Sequence, residues 1–184
     1  MDQAFDLAKK SVALDENDSV SLDTLGWTYL LRKSFDLAEQ FKRQSLDLNP
    51  NDPWRITGMG LLYTYFGDLD EAFRWFDQSK RIDPYFEPAW RWHILGVAHF
   101  VAHRYDEAIA AFNRSATMPG WVQAYLATCY VLTENADRAN ETAAEVVRLM
   151  PRFSASRFAE KEPFRRPADR EHLLDALRRA KLPD

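Results

Sequence analysis

The chain has 184 residues, of which 46% are hydrophobic, 28% charged and 14% aromatic. This composition excludes a wholly disordered chain and suits one folded domain or one short array. Its formal net charge of −4 disfavours DNA binding, because affinity for a duplex comes largely from neutralising phosphates. The single cysteine excludes an intramolecular disulfide, and neither a signal peptide nor a membrane span is predicted, so we expect a cytoplasmic protein that does not contact a membrane.

The predicted elements begin with one helix in residues 1–18. Four pairs of amphipathic helices follow, each pair joined by a short polar turn such as Gly67-Asp68. We place these pairs at residues 19–52, 53–88, 89–119 and 120–153. Residues 154–184 form a connecting segment and a last helix, whose apolar face we expect to cap the array; that face comprises Leu173, Leu174, Leu177 and Ala180.

The helix pairs share a repeat of about 34 residues. Prolines close successive units at Pro50, Pro84, Pro119 and Pro151. A small residue recurs in the second helix, at Ala4, Ala38, Ala72, Ala108 and Ala139. Serines stand seven residues after the first four of these alanines, at Ser11, Ser45, Ser79 and Ser115, and glycines stand twelve residues before three of them, at Gly26, Gly60 and Gly96.

In period and residue type these units resemble the tetratricopeptide repeat (TPR), in which helix A carries Leu-Gly and Tyr and helix B carries Ala, an aromatic residue and Pro. The second full unit matches at Met59, Gly60, Tyr63, Ala72, Phe76 and Pro84. Lys42 departs from the pattern, because an aromatic residue is usual there. The resemblance implies an all-α solenoid with a right-handed superhelix. Residues 1–18 would then be helix B of an incomplete unit, and the chain a fragment of a longer protein; the alternative is a simple N-terminal capping helix.

Further motifs resemble the C-terminal TPR region of bacterial class III adenylate or guanylate cyclase-like proteins. They are Trp90-Arg91-Trp92-His93, Pro119-Gly120-Trp121-Val122, Pro163-Phe164 and the ending LRRAKLPD. This resemblance implies a non-catalytic regulatory module in bacterial signal transduction, with any cyclase activity in an upstream domain. The alternatives are an autonomous TPR adaptor and the TPR tail of a bacterial transcription regulator.

In a TPR superhelix the A helices line the concave face, so the resemblance implies a peptide-binding groove. Its predicted residues are Trp27, Trp54, Thr57, Leu61, Tyr65, Trp90, His93, Phe100 and Trp121. Such a groove suits an apolar or helical segment of a partner protein, with tryptophans as anchors. The alternatives are that residues 154–168 fill the groove or that a second copy of the chain covers it, because exposed aromatic residues favour aggregation.

No residue pattern predicts catalysis, a cofactor or a metal site. His93, His99 and His103 fall on one predicted helix segment, but no nearby cysteine or carboxylate completes a ligand set. Cys129 lies in an apolar helix and is expected to be structural. Phosphate-binding loops and nucleophile elbows are absent from the sequence. We therefore expect a protein that is not an enzyme.

Overall fold

The structure is a computed structural model that describes residues 2–184. Over this range it contains eleven α-helices and no strand. The helices are α1 (Asp2–Leu14), α2 (Ser19–Leu31), α3 (Phe35–Leu48), α4 (Pro53–Phe66), α5 (Leu69–Ile82), α6 (Ala89–Val101), α7 (Tyr105–Asn113), α8 (Gly120–Leu132), α9 (Ala136–Leu149), α10 (Ala155–Lys161) and α11 (Pro167–Arg179). The all-α prediction with a final capping helix is confirmed.

The described residues form two compact units. Unit 1 runs to Phe86 and includes Pro163–Arg165, and unit 2 comprises Glu87–Glu162 and Arg166–Asp184. In unit 1 consecutive helices from α1 to α5 pack against each other. In unit 2 the pairs α6/α7 and α8/α9 pack in the same way, and α11 lies against α8 and α10. The A helices are α2, α4, α6 and α8, and each is followed by a B helix.

Every turn between an A helix and its B helix contains one residue in the left-handed backbone region. This residue is Gly67 in the second pair, with φ of 80°. The other three turns use Lys33, His103 and Glu134, with φ between 58° and 60°. A residue with a Cβ is strained in this region, at a cost of about 1–2 kcal/mol. The turn geometry therefore repeats in all four pairs, although only one of them has the glycine that suits it.

The A and B helices approach closely where the repeated glycines and alanines lie. A Cβ at Gly60 would overlap the ring of Phe76, and a Cβ at Gly96 would overlap the ring of Phe112. In the first pair Lys42 takes the place of the phenylalanine, and its Cγ would lie 2.9 Å from a Cβ at Gly26. The aliphatic stem of Lys42 thus fills the space that a ring fills in the next two pairs.

The last helix caps unit 2 by its apolar face. Leu173, Leu177 and Ala180 are buried, which agrees with the predicted stripe. The helix begins with Pro167, and the residue before it, Arg166, occupies the N-cap position without a side-chain capping hydrogen bond. Asp169 instead accepts two hydrogen bonds from the guanidinium of Arg166, at 2.8 and 2.9 Å.

Candidate functional site

The nine residues predicted to line a groove fall in both units and differ widely in exposure. Trp54 in unit 1 and Trp121 in unit 2 are exposed, with 46% and 36% of their surface accessible. Trp27 and Trp90 are half-buried. The other five are buried and present little surface to a ligand; they are Thr57, Leu61, Tyr65, His93 and Phe100.

Trp54 is held at the start of α4. Its backbone N–H donates to Oδ1 of Asp52, the capping residue, at 2.8 Å. Its indole packs edge-to-face on Phe86, with ring centroids 5.3 Å apart. Val20 stands at the same position of α2 and is also exposed. The first turns of these two A helices in unit 1 therefore present ordered apolar side chains at the surface.

Trp121 is supported by a buried histidine. Its indole packs edge-to-face on the imidazole of His93, with ring centroids 5.4 Å apart. Nε2 of His93 lies 2.8 Å from the hydroxyl of Ser115 and 2.8 Å from the carbonyl oxygen of Thr117. Burial lowers the pKa of His93, against the opposing effect of the Thr117 carbonyl. A neutral imidazole bonded in this way acts as a packing surface for the indole.

The polar residues at the fifth position of three A helices bond to their own unit. Thr57 and Ser79 have their hydroxyls 2.8 Å apart, and His93 bonds to Ser115 as described. Ser79 also donates to the carbonyl of Pro53 at 3.2 Å, as Ser45 does to that of Ser19 at 2.6 Å. The recurring serine thus joins the end of a B helix to the first turn of its A helix. Thr57 and His93 are occupied by these bonds.

The fifth position of α2 holds one partner of a largely buried ion pair. Nζ of Lys42 lies 2.8 Å from Oδ1 of Asp23. Only 5% of the Lys42 side chain is accessible, against 26% of Asp23. Gly58 on α4 leaves room for the ammonium group, because a Cβ there would lie 3.3 Å from Nζ. The ammonium also lies 6.0 Å from the ring centroid of Trp27, within range of a cation–π interaction.

Residues 163–165 pack against the C-terminal part of α4 in unit 1. The ring of Phe164 packs on Tyr65 with centroids 5.2 Å apart, and the N–H of Arg165 donates to the carbonyl of Tyr65 at 2.8 Å. The guanidinium of Arg165 lies over the rings of Phe66 and Phe35, at 5.2 and 5.8 Å from their centroids. Tyr65 is therefore buried by a short segment from the C-terminal part of the chain.

In unit 2 the C-terminal helices cover Phe100. The imidazole of His172 on α11 stacks on Phe100 with centroids 5.1 Å apart. The same imidazole lies 4.4 Å from that of His103, and the hydroxyl of Tyr105 is within 2.7 Å of His103 Nδ1 and 3.2 Å of His172 Nε2. Burial is the largest cause that lowers the pKa of His172, followed by the neighbouring His103.

Tyr125 on α8 is covered in a similar way. Phe158 of α10 packs edge-to-face on its ring at 5.8 Å, and Glu162 accepts a hydrogen bond from its hydroxyl at 2.9 Å. The sequence analysis predicted, as one alternative, that residues 154–168 fill the groove, but it did not predict which side chains make the contacts. His172 was missed altogether, since it shares α11 with the predicted apolar stripe but points to Phe100.

Metal-ligating residues, the cysteine and the apolar helices complete the description of residues 2–184. In that range no three His, Cys, Asp or Glu side chains are grouped so that they could hold a metal ion. The thiol of Cys129 is buried, and burial raises its pKa. None of the helices in the described range combines the length and apolar character that crossing a bilayer requires.

Comparison with curated proteins gives distant relatives, and the two described below are much longer than this chain. No protein-family model matches it. Cellulose synthase operon protein C of Komagataeibacter sucrofermentans is 30% identical over 105 residues, which cover 52% of the chain and 8% of that protein. Anaphase-promoting complex subunit 6 of Arabidopsis thaliana is 26% identical over 120 residues, covering 64% and 22%. The chain thus spans less than a quarter of either relative.

Solved structures share the architecture at low sequence identity. Cut9 in the APC/C hetero-tetramer Cut9–Hcn1 superposes with a TM-score of 0.72 at 16% identity, over 97% of this chain and 36% of Cut9. YrrB, described as a TPR protein with an unusual peptide-binding site, gives 0.55 at 16% identity, over 94% and 90%. Together with the repeated helix pairs and their close glycine contacts, these similarities show that the chain has an all-α fold of stacked helix pairs like that of tetratricopeptide-repeat structures.

Proposed function

We propose that this chain is a non-catalytic module that binds an apolar segment of a partner protein through an exposed indole at the start of an A helix, which is Trp54 in unit 1 or Trp121 in unit 2. The observation that supports this most is the setting of Trp54, which is capped by Asp52, packed on Phe86 and still 46% exposed. A large aromatic side chain held rigidly at a surface loses little entropy on binding and is a common hot spot.

The proposed surface is smaller than the groove expected from the sequence. Tyr65 and Phe100 are covered by Phe164 and His172 of the same chain, so a partner reaches them only if these contacts open. Trp54 and Trp121 remain accessible without any rearrangement. We assign the anchoring role to these two indoles and a structural role to the covered residues.

The relatives supply precedents for binding by this fold. Cut9 was solved in a hetero-tetramer with Hcn1, and the YrrB structure is described by its peptide-binding site. Both statements belong to those proteins, whose identity to this chain is 16%. They support protein binding as a class of function and say nothing about the identity of a partner here.

Selection of peptides followed by affinity measurement tests the proposal. Peptides enriched on the intact chain from a displayed random library would be titrated against Trp54→Ala, Trp121→Ala and a matched control, Tyr85→Ala, which removes an aromatic residue that is more exposed than either indole. We expect at least one indole variant to weaken binding about tenfold or more, the usual cost of losing a hot spot. Equal affinity for all three variants would exclude the indoles as anchors.

A regulatory role beside a nucleotide cyclase domain is a narrower proposal that rests on sequence motifs alone. Trp92 and His93, in the first of those motifs, are buried and serve packing. The test is the cyclase activity of the full natural gene product with and without residues 19–184. A full-length product without a cyclase domain would leave the adaptor and transcription-regulator readings.

A further inference from the structure

A cavity of about 530 Å³ lies in unit 2 where α9 is followed by α10. Its apolar part is formed by Met150, Phe153 and Phe158, and its rim carries three cationic side chains. They are Arg152, Arg157 and Lys161. The volume falls in the range of cavities that hold small ligands or a few peptide side chains.

The floor of this cavity is packed. The rings of Phe153 and Phe158 lie 5.3 Å apart at an interplanar angle of 37°, and Phe158 rests in turn on Tyr125. Met150 packs against Gly120, where a Cβ would lie 2.8 Å from Cγ of the methionine. The floor of the cavity thus combines two ordered aromatic rings with a flexible thioether, and such a surface accepts an apolar side chain.

The three rim cations form no ion pair within the described residues, and the guanidinium of Arg157 makes one hydrogen bond, to the carbonyl oxygen of Arg152 at 3.3 Å. No Asp or Glu lines the cavity. The nearby arginines behave differently, because Arg148 pairs with Glu145 and Arg170 with Glu160. In a chain of net charge −4, the mouth of this cavity is therefore locally positive and complementary to an acidic ligand.

The backbone at the rim is not arranged to hold a phosphate. The N–H groups of the first turn of α10 are already bonded, Ala155 to the carbonyl of Pro183 at 2.8 Å and Ser156 to Oδ1 of Asp184 at 2.9 Å. The N–H of Arg157 donates to the hydroxyl of Ser154 at 3.2 Å. A phosphate site normally uses free N–H groups of this kind, so recognition here falls to the side chains. The planar guanidinium of an arginine can donate two parallel hydrogen bonds to one carboxylate, so these side chains suit an acidic ligand.

From this arrangement we infer that the cavity binds an acidic peptide segment of a partner protein, with one aromatic or large aliphatic side chain in the floor. Carboxylates on either side of that side chain meet Arg152, Arg157 and Lys161. The cavity does not include Trp54 or Trp121, so this inference remains valid if those indoles prove not to bind a partner.

Fluorescence anisotropy with defined peptides tests the inference on the intact chain. The probe is a labelled peptide with glutamates flanking one Phe, and the comparison peptides replace the Phe by Ala or the glutamates by lysines. We expect saturable binding of the first peptide only, weakened by added salt because surface charges are screened. The triple variant R152Q/R157Q/K161Q should lower its affinity at least tenfold.

The matched control R74Q/K80Q/R81Q removes three exposed cations from α5 in unit 1 and should leave the affinity within about twofold. The charge-reversed variant R152E/R157E should gain affinity for the lysine peptide, a result that general loss of structure cannot produce. Equal losses in both triple variants, no binding of the acidic peptide, or tighter binding of an adenylate oligonucleotide than of this peptide would each overturn the inference. Trp54→Ala should leave this binding unchanged, which distinguishes the two proposed surfaces.

Discussion

The ion pair between Lys42 and Asp23 gives the sharpest quantitative prediction. At the observed 2.8 Å separation and an effective dielectric constant of about 20, the attraction is about 6 kcal/mol, most of which is offset by the desolvation of Lys42. Removing one partner of a fully buried pair costs about 3–5 kcal/mol. Because Asp23 is 26% exposed, water can approach the remaining ammonium, and we expect Asp23→Asn to lower the free energy of unfolding by about 2–3 kcal/mol.

A second variant replaces the lysine, and together with Asp23→Asn and the double variant it forms a double-mutant cycle. Lys42→Met keeps the aliphatic stem that fills the space beside Gly26 and leaves only a partly solvated carboxylate, so we expect a loss of about 1 kcal/mol. The double variant should lie within about 1 kcal/mol of the parent chain, because apolar replacement of a buried pair is often neutral. Urea unfolding followed by circular dichroism measures all four free energies.

A coupling energy of at least about 2 kcal/mol is therefore predicted between positions 23 and 42. The exposed pair between Glu145 and Arg148 on α9 provides the control, and its coupling should be much smaller because solvent screens it. Additive losses at positions 23 and 42 would refute the reasoning, since they would mean that the ammonium finds equal stabilisation without the carboxylate.

Four further predictions concern packing, backbone strain and pH. Gly96→Ala should lower the free energy of unfolding by about 1–3 kcal/mol, because the added Cβ overlaps the Phe112 ring. Adding Phe112→Leu should recover part of that loss in urea unfolding, and no recovery would mean that the strain does not come from this ring. Glu134→Gly should raise the free energy of unfolding by about 0.5 kcal/mol, because relief of left-handed strain slightly exceeds the added entropy of the unfolded chain; a loss would contradict this. Burial lowers the pKa of three histidines, His172 among them. Their contribution to stability is therefore full above about pH 6.5 and is lost as the pH falls. His172→Phe should flatten a plot of unfolding free energy against pH, and an unchanged slope would exclude His172 as a contributor. Phe164→Ala should cost about 3 kcal/mol by removing the ring that covers Tyr65, and a loss below 1 kcal/mol in thermal or urea unfolding would show that this contact is dispensable.

Local patterns in the sequence were sufficient to predict the helix pairs. The four A helices begin at Ser19, Pro53, Ala89 and Gly120, the residues from which the units were counted. This agreement arises because capping residues, prolines and the spacing of apolar side chains act within one turn or one hairpin. The recurring glycines and alanines likewise report a close approach between two neighbouring helices.

The candidate site was harder to predict, because its accessibility depends on residues far away in the chain. Tyr65 has the spacing of a groove residue, yet Phe164 and Arg165 cover it. The hydroxyl of Thr57 is occupied by Ser79, 22 residues later. Periodicity can assign a residue to a helix face, but it cannot show which other segment packs on that face. The serines seven residues after four of the recurring alanines were the available signal for the internal bonds.

The most direct test of protein binding through the exposed indoles is an NMR spectrum of the six tryptophan Nε1–H groups during titration with a selected peptide. Trp54 and Trp121 are exposed, whereas Trp92 is buried and Trp75 lies on a B helix. We predict that the indole resonances of Trp54, Trp121 or both shift in a saturable way, while those of Trp75 and Trp92 keep their positions. Shifts confined to Trp75 or Trp92, or no shift at Trp54 and Trp121, would contradict binding through the exposed indoles.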